Sequence, residues 1–131
     1  AMNNKNERPK LKKLIIDVQV HDLDRAIKFY RDILGLPMLQ REKDWASFEM
    51  LGAEIHLYLY GGAEYGLEFR VSDIEKEVKQ LKAKGVQFKI DRSLPNLLEI
   101  LGGEIMKFPW GKTALFNDSE GNQLALVEDT I

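Results

Sequence analysis

The order of apolar and polar residues predicts a strand and then a helix near the start of the chain. β-Branched residues fill Leu14–Val20, which is typical of a strand. Asp22 follows as a candidate helix N-cap, and apolar residues recur at helical spacing from Leu23 to Leu34. Gly35 ends this helix, as glycine ends many helices. Three further strands are predicted at 37–41, 45–51 and 54–60, with turn signals at Gly52 and at the Gly61-Gly62 pair.

The same order of elements begins again at Tyr65. A strand over 65–71 precedes a second candidate N-cap at Asp73, a helix over 74–84 and a strand over 86–90. The last two strands, 112–117 and 123–128, are joined by the turn-forming run Asp118-Ser119-Glu120-Gly121-Asn122. Val20–Arg25 matches Val71–Lys76 in residue type, 51 positions later. We therefore interpret the chain as an internal duplication of a βαβββ unit.

The second copy of this unit carries an insertion, from Asp91 to Glu104. Its Leu94-Pro95-Asn96-Leu97-Leu98 portion is expected to form a short helix or a lid. With 131 residues the chain suits one domain, which we place at 11–131. Module one is expected at about 12–61 and module two at about 64–128. Residues 1–10 are polar, lack the apolar run of a signal peptide, and are predicted to be a flexible tail.

Several short motifs resemble one protein family. Val18-x-Val20-x-Asp22-Leu23, then Ile27-x-Phe29-Tyr30 and Leu34-Gly35-Leu36, resemble the first module of the vicinal oxygen chelate superfamily. That superfamily includes glyoxalase I, bleomycin-resistance proteins and extradiol dioxygenases. Phe69-x-Val71-x-Asp73-Ile74 and the run Asp118–Leu124 are similar to its second module and to its Asp-Pro-Asp-Gly-Asn ending. The resemblance covers about residues 12–128.

This resemblance implies an α+β fold. In it, two tandem βαβββ modules form a cupped, open mixed-sheet barrel with the helices on the outside, and the ligand sits in the cup. It also implies a homodimer, in which residues of both chains can line each cup. Because side chains alternate along a strand, every second residue of each cup strand faces the ligand. We expect the ligand-binding residues to be Asp17, Gln19, His56, Tyr58, Tyr60, Glu68, Arg70 and Trp110.

The residues at the metal-ligand positions of the family are mostly unable to bind a metal. By the resemblance, metal-dependent members hold their ion at four inward positions, which in this chain are Ile15, His56, Gly66 and Ala125. A catalytic divalent ion needs three or more nitrogen or oxygen ligands, and only His56 offers one. The sequence therefore predicts no metal and no cofactor. A relocated site that uses His56 with the inward carboxylates Asp17 and Glu68 remains the alternative.

Composition narrows the possible partners. The chain has no cysteine, which excludes disulfides and thiolate chemistry and suits a reducing cytoplasm. Its 19 basic and 21 acidic residues leave no basic surplus for nucleic acid. No apolar run approaches the roughly 20 residues that span a bilayer. We therefore expect a cytoplasmic protein with a small-molecule partner and neither nucleic acid nor membrane.

These observations favour a protein that binds a small molecule in a cup without a catalytic metal, similar to the bleomycin-resistance branch. The first alternative is a metal-dependent lyase, isomerase or dioxygenase with relocated ligands. The second is a dimeric scaffold or regulatory module, because fold does not determine function. The sequence leaves open whether the protein is an enzyme, and it assigns no catalytic residue.

Overall fold

The computed structural model describes residues 8–129, and residues 1–7 and 130–131, with most of the predicted tail, lie outside the described residues. The described chain has two α-helices, α1 (Leu23–Lys28) and α2 (Ile74–Ala83). Its strands are β1 (Ile15–Gln19), β2 (Met38–Arg41), β3 (Trp45–Met50), β4 (Ala53–Tyr58), β5 (Leu67–Arg70), β6 (Phe88–Lys89), β7 (Glu99–Leu101), β8 (Ile105–Phe108), β9 (Gly111–Asn117) and β10 (Gln123–Asp129). Neither helix has the length and apolar character needed to cross a bilayer, as far as the described residues go.

The strands form two sheets that repeat one arrangement. Sheet one has the order β1-β4-β3-β2, and sheet two has the order β5-β10-β9-β8-β7 with β6 also paired to β9. In each sheet the first strand of the unit pairs in parallel with its last strand, and the other pairs are antiparallel. The α+β fold with two tandem βαβββ modules is therefore confirmed. The two sheets stay open, since neither closes on itself.

The first helix is less regular than its sequence pattern predicts. α1 ends at Lys28, and Phe29–Ile33 continues as a π-helical turn. The Leu34 backbone N–H donates to the Phe29 carbonyl, five residues back, at 3.0 Å. A π-turn carries one more residue per hydrogen-bonded ring than an α-turn. Phe29 and Tyr30 are both buried at this widened turn.

The insertion is folded differently from the expectation of a short helix. Residues 92–96 form turns and a bend, and β7 follows within the predicted 91–104 range. β8 is a strand that the sequence pattern did not predict, and it pairs with both β7 and β9. Sheet two is therefore wider than sheet one.

The helix-facing sides of both sheets share one apolar core. α1 packs against β3 and β4, and α2 packs against β9 and β10. The core contains residues from both modules, among them Val18, Tyr30, Phe48, Ile55, Leu57, Ile74, Val78, Phe116, Leu124 and Leu126. Val18, Leu57 and Leu124 thus face the helices, on the side opposite to the one that alternation assigns to the ligand.

The turn between β9 and β10 ties module two to the start of α1. The Glu120 carboxylate accepts hydrogen bonds from the backbone N–H groups of His21 and Asp22, both at 2.8 Å. It also pairs with the Arg25 guanidinium, with Nε at 2.7 Å. The Glu120 side chain has no exposed surface. A carboxylate at a helix N-terminus also interacts favourably with the helix dipole.

Two more hydrogen bonds cross from this turn to module one. The Tyr30 hydroxyl donates to Asp118 Oδ2 at 2.7 Å, and Asn122 Nδ2 donates to the Gln19 carbonyl at 2.6 Å. Burial, with the negative charge of Asp118, raises the pKa of Tyr30. The turn is therefore a polar clamp between the modules.

Gly62 allows the linker between the modules to approach β1. A Cβ at Gly62 would lie 2.8 Å from the carbonyl carbon and oxygen of Asp17 and from the amide nitrogen of Gln19. The next residue, Ala63, bridges to Val18. Gly62→Ala should cost about 1–2 kcal/mol of unfolding free energy, read from the urea midpoint, because backbone atoms on both sides must shift.

Gly61→Ala is the matched control for this prediction. No atom lies within 4 Å of a Cβ built at Gly61. Its urea midpoint should therefore fall less than that of Gly62→Ala. Equal midpoints for the two variants would show that contact with β1 does not limit position 62.

Candidate functional site

Four residues of sheet one surround a shallow hollow. Asp17, Trp45, His56 and Tyr58 line it, and its volume is about 190 Å³. Asp17 lies beside His56 in the β1–β4 pairing, and Trp45 lies beside Tyr58 in the β3–β4 pairing. Their neighbours in sequence, such as Val18 and Leu57, point into the core. The hollow is therefore on the sheet face opposite the helix, as alternation predicts.

His56 is the most connected side chain of this hollow. Its Nε2 lies 2.9 Å from Glu54 Oε1, and its Nδ1 lies 4.0 Å from Asp17 Oδ1. The hydrogen bond from His56, followed by that from Lys13, lowers the pKa of Glu54. The Trp45 ring stacks on the imidazole, with centroids 5.2 Å apart and planes 11° apart. With Nε2 donating to Glu54, Nδ1 is left to accept a hydrogen bond from a ligand.

The other predicted residues of sheet one lie at the rim. Tyr60 is 71% exposed and meets Tyr58 edge-on, with centroids 5.7 Å apart. Gln19 Nε2 donates to the carbonyls of Val20 and Leu59, both at 2.9 Å. The Gln19 amide is thus engaged with backbone at the strand ends, whereas the tyrosine rings are available to a ligand.

The remaining predicted residues lie on sheet two. Glu68 lies beside Ala125 in the β5–β10 pairing and is exposed. Arg70 pairs with Asp129 at 2.9 Å instead of with Glu68. The Trp110 ring stacks on Phe108, with centroids 5.3 Å apart and planes 6° apart, and is 43% exposed. Sheet two therefore presents an exposed carboxylate and a second stacked aromatic pair.

An apolar surface that the sequence did not reveal covers the same face of sheet two. We call it the sheet-two floor, and it consists of Met106, Phe108, Leu115 and Ala125, all buried. Its neighbours Leu124, Leu126 and Phe116 belong to the core on the other face. The floor was missed because two of its residues lie on β8, the unpredicted strand.

The residues at the family's metal-ligand positions do not fit a metal ion. Ile15 is 51% exposed, Gly66 has no side chain, and Ala125 is buried in the sheet-two floor. His56 is already hydrogen-bonded to Glu54. One imidazole without co-ligands is a weak site for a divalent ion.

The alternative ligand set is divided between the two sheets. Asp17 and His56 lie on sheet one, and Glu68 lies on sheet two. Within residues 8–129, three acidic or histidine side chains come close enough to share an ion only at Asp73, Glu75 and Glu128. Lys112 lies 2.9 Å from Glu75 and 3.8 Å from Glu128, so a lysine already compensates that cluster.

The structure thus brings some of the eight predicted residues together and leaves others apart. Asp17, His56 and Tyr58 share the hollow, with Tyr60 at its rim. Glu68, Arg70 and Trp110 belong to sheet two. Trp45 completes the hollow and Glu54 holds His56 from beside it, and the apolar alternation along β3 and β4 is the signal that places both on this face.

Comparison with known proteins agrees with this architecture. TnmS3, an antibiotic binding protein from Streptomyces sp. CB03234, is 21% identical and superposes with a TM-score of 0.67, covering 94% of this chain and 100% of that chain. A lactoylglutathione lyase from Agrobacterium tumefaciens is 17% identical with a TM-score of 0.68, covering 93% and 96%. At these identities the likeness shows the fold alone.

Sequence comparison identifies the family. The uncharacterized protein YraH of Bacillus subtilis (strain 168) is 31% identical, over 59% of this chain and 75% of that protein. The model of the Glyoxalase/Bleomycin resistance protein/Dioxygenase superfamily matches residues 14–126. The chain therefore belongs to the Glyoxalase/Bleomycin resistance protein/Dioxygenase superfamily.

Proposed function

We propose that the protein binds a flat, positively charged small molecule against the concave faces of its sheets, without a catalytic metal. One observation carries the proposal. The metal-ligand positions Ile15, Gly66 and Ala125 have no ligating side chain, while the same faces carry stacked aromatic rings and exposed carboxylates. Such a surface can hold a ligand by stacking and charge alone.

The aromatic pairs support a planar ligand. Trp45 stacks on His56 on sheet one, and Trp110 stacks on Phe108 on sheet two. Trp110 keeps 43% of its surface exposed. A flat ring system can extend each stack with little loss of side-chain freedom, because the protein rings are already in place.

The free charges on these faces support a cationic ligand. The Asp17 side chain is 58% exposed, and the His56 ring, with Nδ1 4.0 Å from Asp17 Oδ1, lies beside it. Glu68 is exposed and has no ion-pair partner among residues 8–129. The one basic residue of the predicted set, Arg70, is neutralised by Asp129. A cation stacked between the carboxylates also gains from the aromatic faces.

We further propose that the working form is a cytoplasmic homodimer. Both concave faces lie opposite the core that the two modules share, so sheet one of a chain does not cover its own sheet two. A second copy that places its sheet two over sheet one would bring Glu68 and Trp110 to the hollow around His56. An enclosed cup buries more of a small ligand than either open sheet.

The relatives are compatible with this proposal. TnmS3, which shares the fold, is described as an antibiotic binding protein. The metal-dependent alternative has its ligand set divided between the two sheets of one chain, and the proposed dimer would bring Glu68 to Asp17 and His56, so metal analysis has to separate it from our proposal. The scaffold alternative predicts no small-molecule binding, so a titration with small-molecule ligands separates it from our proposal.

A charge series on one ring skeleton tests the proposal. Quenching of Trp45 and Trp110 fluorescence would be followed on titration with three flat, three-ring compounds. Proflavine is a cation, acridone is neutral, and anthracene carboxylate is an anion. We expect proflavine to bind at least about ten-fold more tightly than the anion, because the carboxylates attract one and repel the other. Equal affinities, or no binding of any of the three, would refute a flat cationic ligand.

A further inference from the structure

The insertion of module two covers the sheet-two floor with its own side chains. Leu94 and Leu97 of the insertion pack on the floor together with Ile90, the residue before it, and all three are half-buried. The floor lies on the concave face, where the ligand of the proposed function would bind. Ala125, at a family metal-ligand position, is part of this covered surface and is 4% exposed. The chain therefore places its own apolar groups where a ligand would lie.

Apolar contact is what holds this segment to the sheet. Ser93 donates from its backbone N–H and its hydroxyl to Asp91 Oδ1, at 3.0 and 2.5 Å, and the Leu94 N–H donates to the Asp91 carbonyl at 3.4 Å. The hydrogen bonds described for residues 92–97 all end at Asp91. The next connection to the sheet is the Leu98 N–H to the Lys107 carbonyl, at 2.9 Å. Lifting residues 92–97 therefore breaks no hydrogen bond to sheet two.

We propose that residues 91–98 form a lid, and that the flat apolar part of a ligand replaces Leu94 and Leu97 on the sheet-two floor when the lid opens. The ligand half of this inference rests on the proposed function, whereas the opening of the lid does not. The floor continues into the stacked rings of Phe108 and Trp110, so a ligand on the floor reaches an exposed aromatic surface. The segment is anchored at both ends, by β6 and by Leu98, which suits a hinged lid.

A single introduced cysteine reports lid opening without any ligand. The chain has no cysteine, so Ala125→Cys gives one thiol on the covered floor. The rate at which this thiol reacts with a small disulfide reagent would be compared between a protein with the native lid and one that also carries Leu94→Ser and Leu97→Ser, which we call the serine lid. We expect about ten-fold faster labelling with the serine lid, because the closed state loses its apolar contacts.

Two controls separate lid opening from general loosening. Ala114→Cys lies in the same sheet, with 0% exposure, in the core on the other face, and should stay protected with either lid. Leu98→Ser changes a leucine that is 62% exposed and outside the floor cluster, and should leave labelling of Ala125→Cys unchanged. Equal labelling of Ala125→Cys with native and serine lids would overturn the lid. So would a parallel rise at Ala114→Cys, which would show unfolding instead.

Proflavine then tests the floor as a ligand site. If the floor takes the ligand, saturating proflavine slows the labelling of Ala125→Cys with the serine lid. Proflavine that binds but leaves the labelling rate unchanged would overturn the floor as its site. Failure of proflavine to bind at all would instead count against the proposed function, and the lid would still stand or fall on the ligand-free rates.

Discussion

Replacing Asp17 with asparagine and Glu68 with glutamine in the same chain is expected to weaken proflavine binding by about 30-fold. Each carboxylate within about 5 Å of a bound cation contributes on the order of 1 kcal/mol in a half-exposed cup. The two contributions should add, so each single variant should lose about five-fold in proflavine affinity and the double variant about the product of the two losses. Fluorescence titration at low and high salt measures the loss, which should shrink as salt screens the charges.

Glu99→Gln is the matched control for the carboxylates. It removes the same charge from β7, where Glu99 lies opposite the exposed Lys107 in the β7–β8 register and not opposite the buried floor residue Met106. Alternation places Glu99 on the sheet face away from the proposed ligand, so its proflavine affinity should match the unaltered protein. An affinity of the double variant equal to that of Glu99→Gln would mean that neither Asp17 nor Glu68 contacts the ligand.

Among substitutions of polar residues, Glu120→Ala should lower the free energy of unfolding most, by about 2–3 kcal/mol. It leaves the backbone N–H groups of His21 and Asp22, just before α1, and the Arg25 guanidinium without their buried acceptor. For a chain of this length the melting temperature should fall by about 10 °C. A fall of only a degree or two would mean that water replaces the carboxylate and that the clamp between modules is weak.

The same residue should give the protein an acid-sensitive stability. Burial alone would raise the pKa of Glu120, but hydrogen bonds from Arg25 and from the Asp22 and His21 N–H groups outweigh it and lower the pKa from 4.5 to about 2. Because the pKa of Glu120 is lower in the folded state than in the unfolded state, the carboxylate stabilises the fold at pH values above the unfolded-state pKa. This stabilisation is lost as the pH falls from about 4.5 towards 2. We expect a contribution of about 2 kcal/mol, reduced from the full shift because Arg25 is half-exposed.

Urea unfolding of Glu120→Gln across pH 2 to 5 measures this contribution. The glutamine keeps an acceptor but cannot titrate, so the curve of stability against pH should flatten. Asp32→Asn is the control, since its carboxylate also has a lowered pKa but lies in an exposed pair with Arg31 and should change the curve little. An unchanged slope in Glu120→Gln would place the acid sensitivity elsewhere.

Alternation and internal repetition account for what the sequence predicted well. Two strands with apolar residues at every second position were enough to turn Val18 and Leu57 inwards and Asp17 and His56 outwards. The match between the modules also placed Asp17 and Glu68 at equivalent positions, each on the first strand of its module and next to the last strand of that module. These features are local, because side-chain direction in a strand depends on the strand alone.

The features that the sequence did not predict depend on distant partners. β8 has four residues and is a strand because Met106 and Phe108 find partners on β9, which no local pattern announces. The π-turn after α1 coincides with Tyr30 reaching Asp118, 88 residues away in the chain. The ion pair of Arg70 with Asp129 on the neighbouring β10 was likewise not predicted.

Measuring metal content, and ligand binding with and without metal, decides whether the protein binds its ligand without an ion. The protein would be purified after growth with added zinc, manganese, iron and nickel, its metal content measured, and proflavine titrated before and after treatment with EDTA. We expect no stoichiometric metal and one unchanged dissociation constant. One ion per chain, together with loss of ligand binding after EDTA, would contradict it and would identify a metal-dependent member of the superfamily.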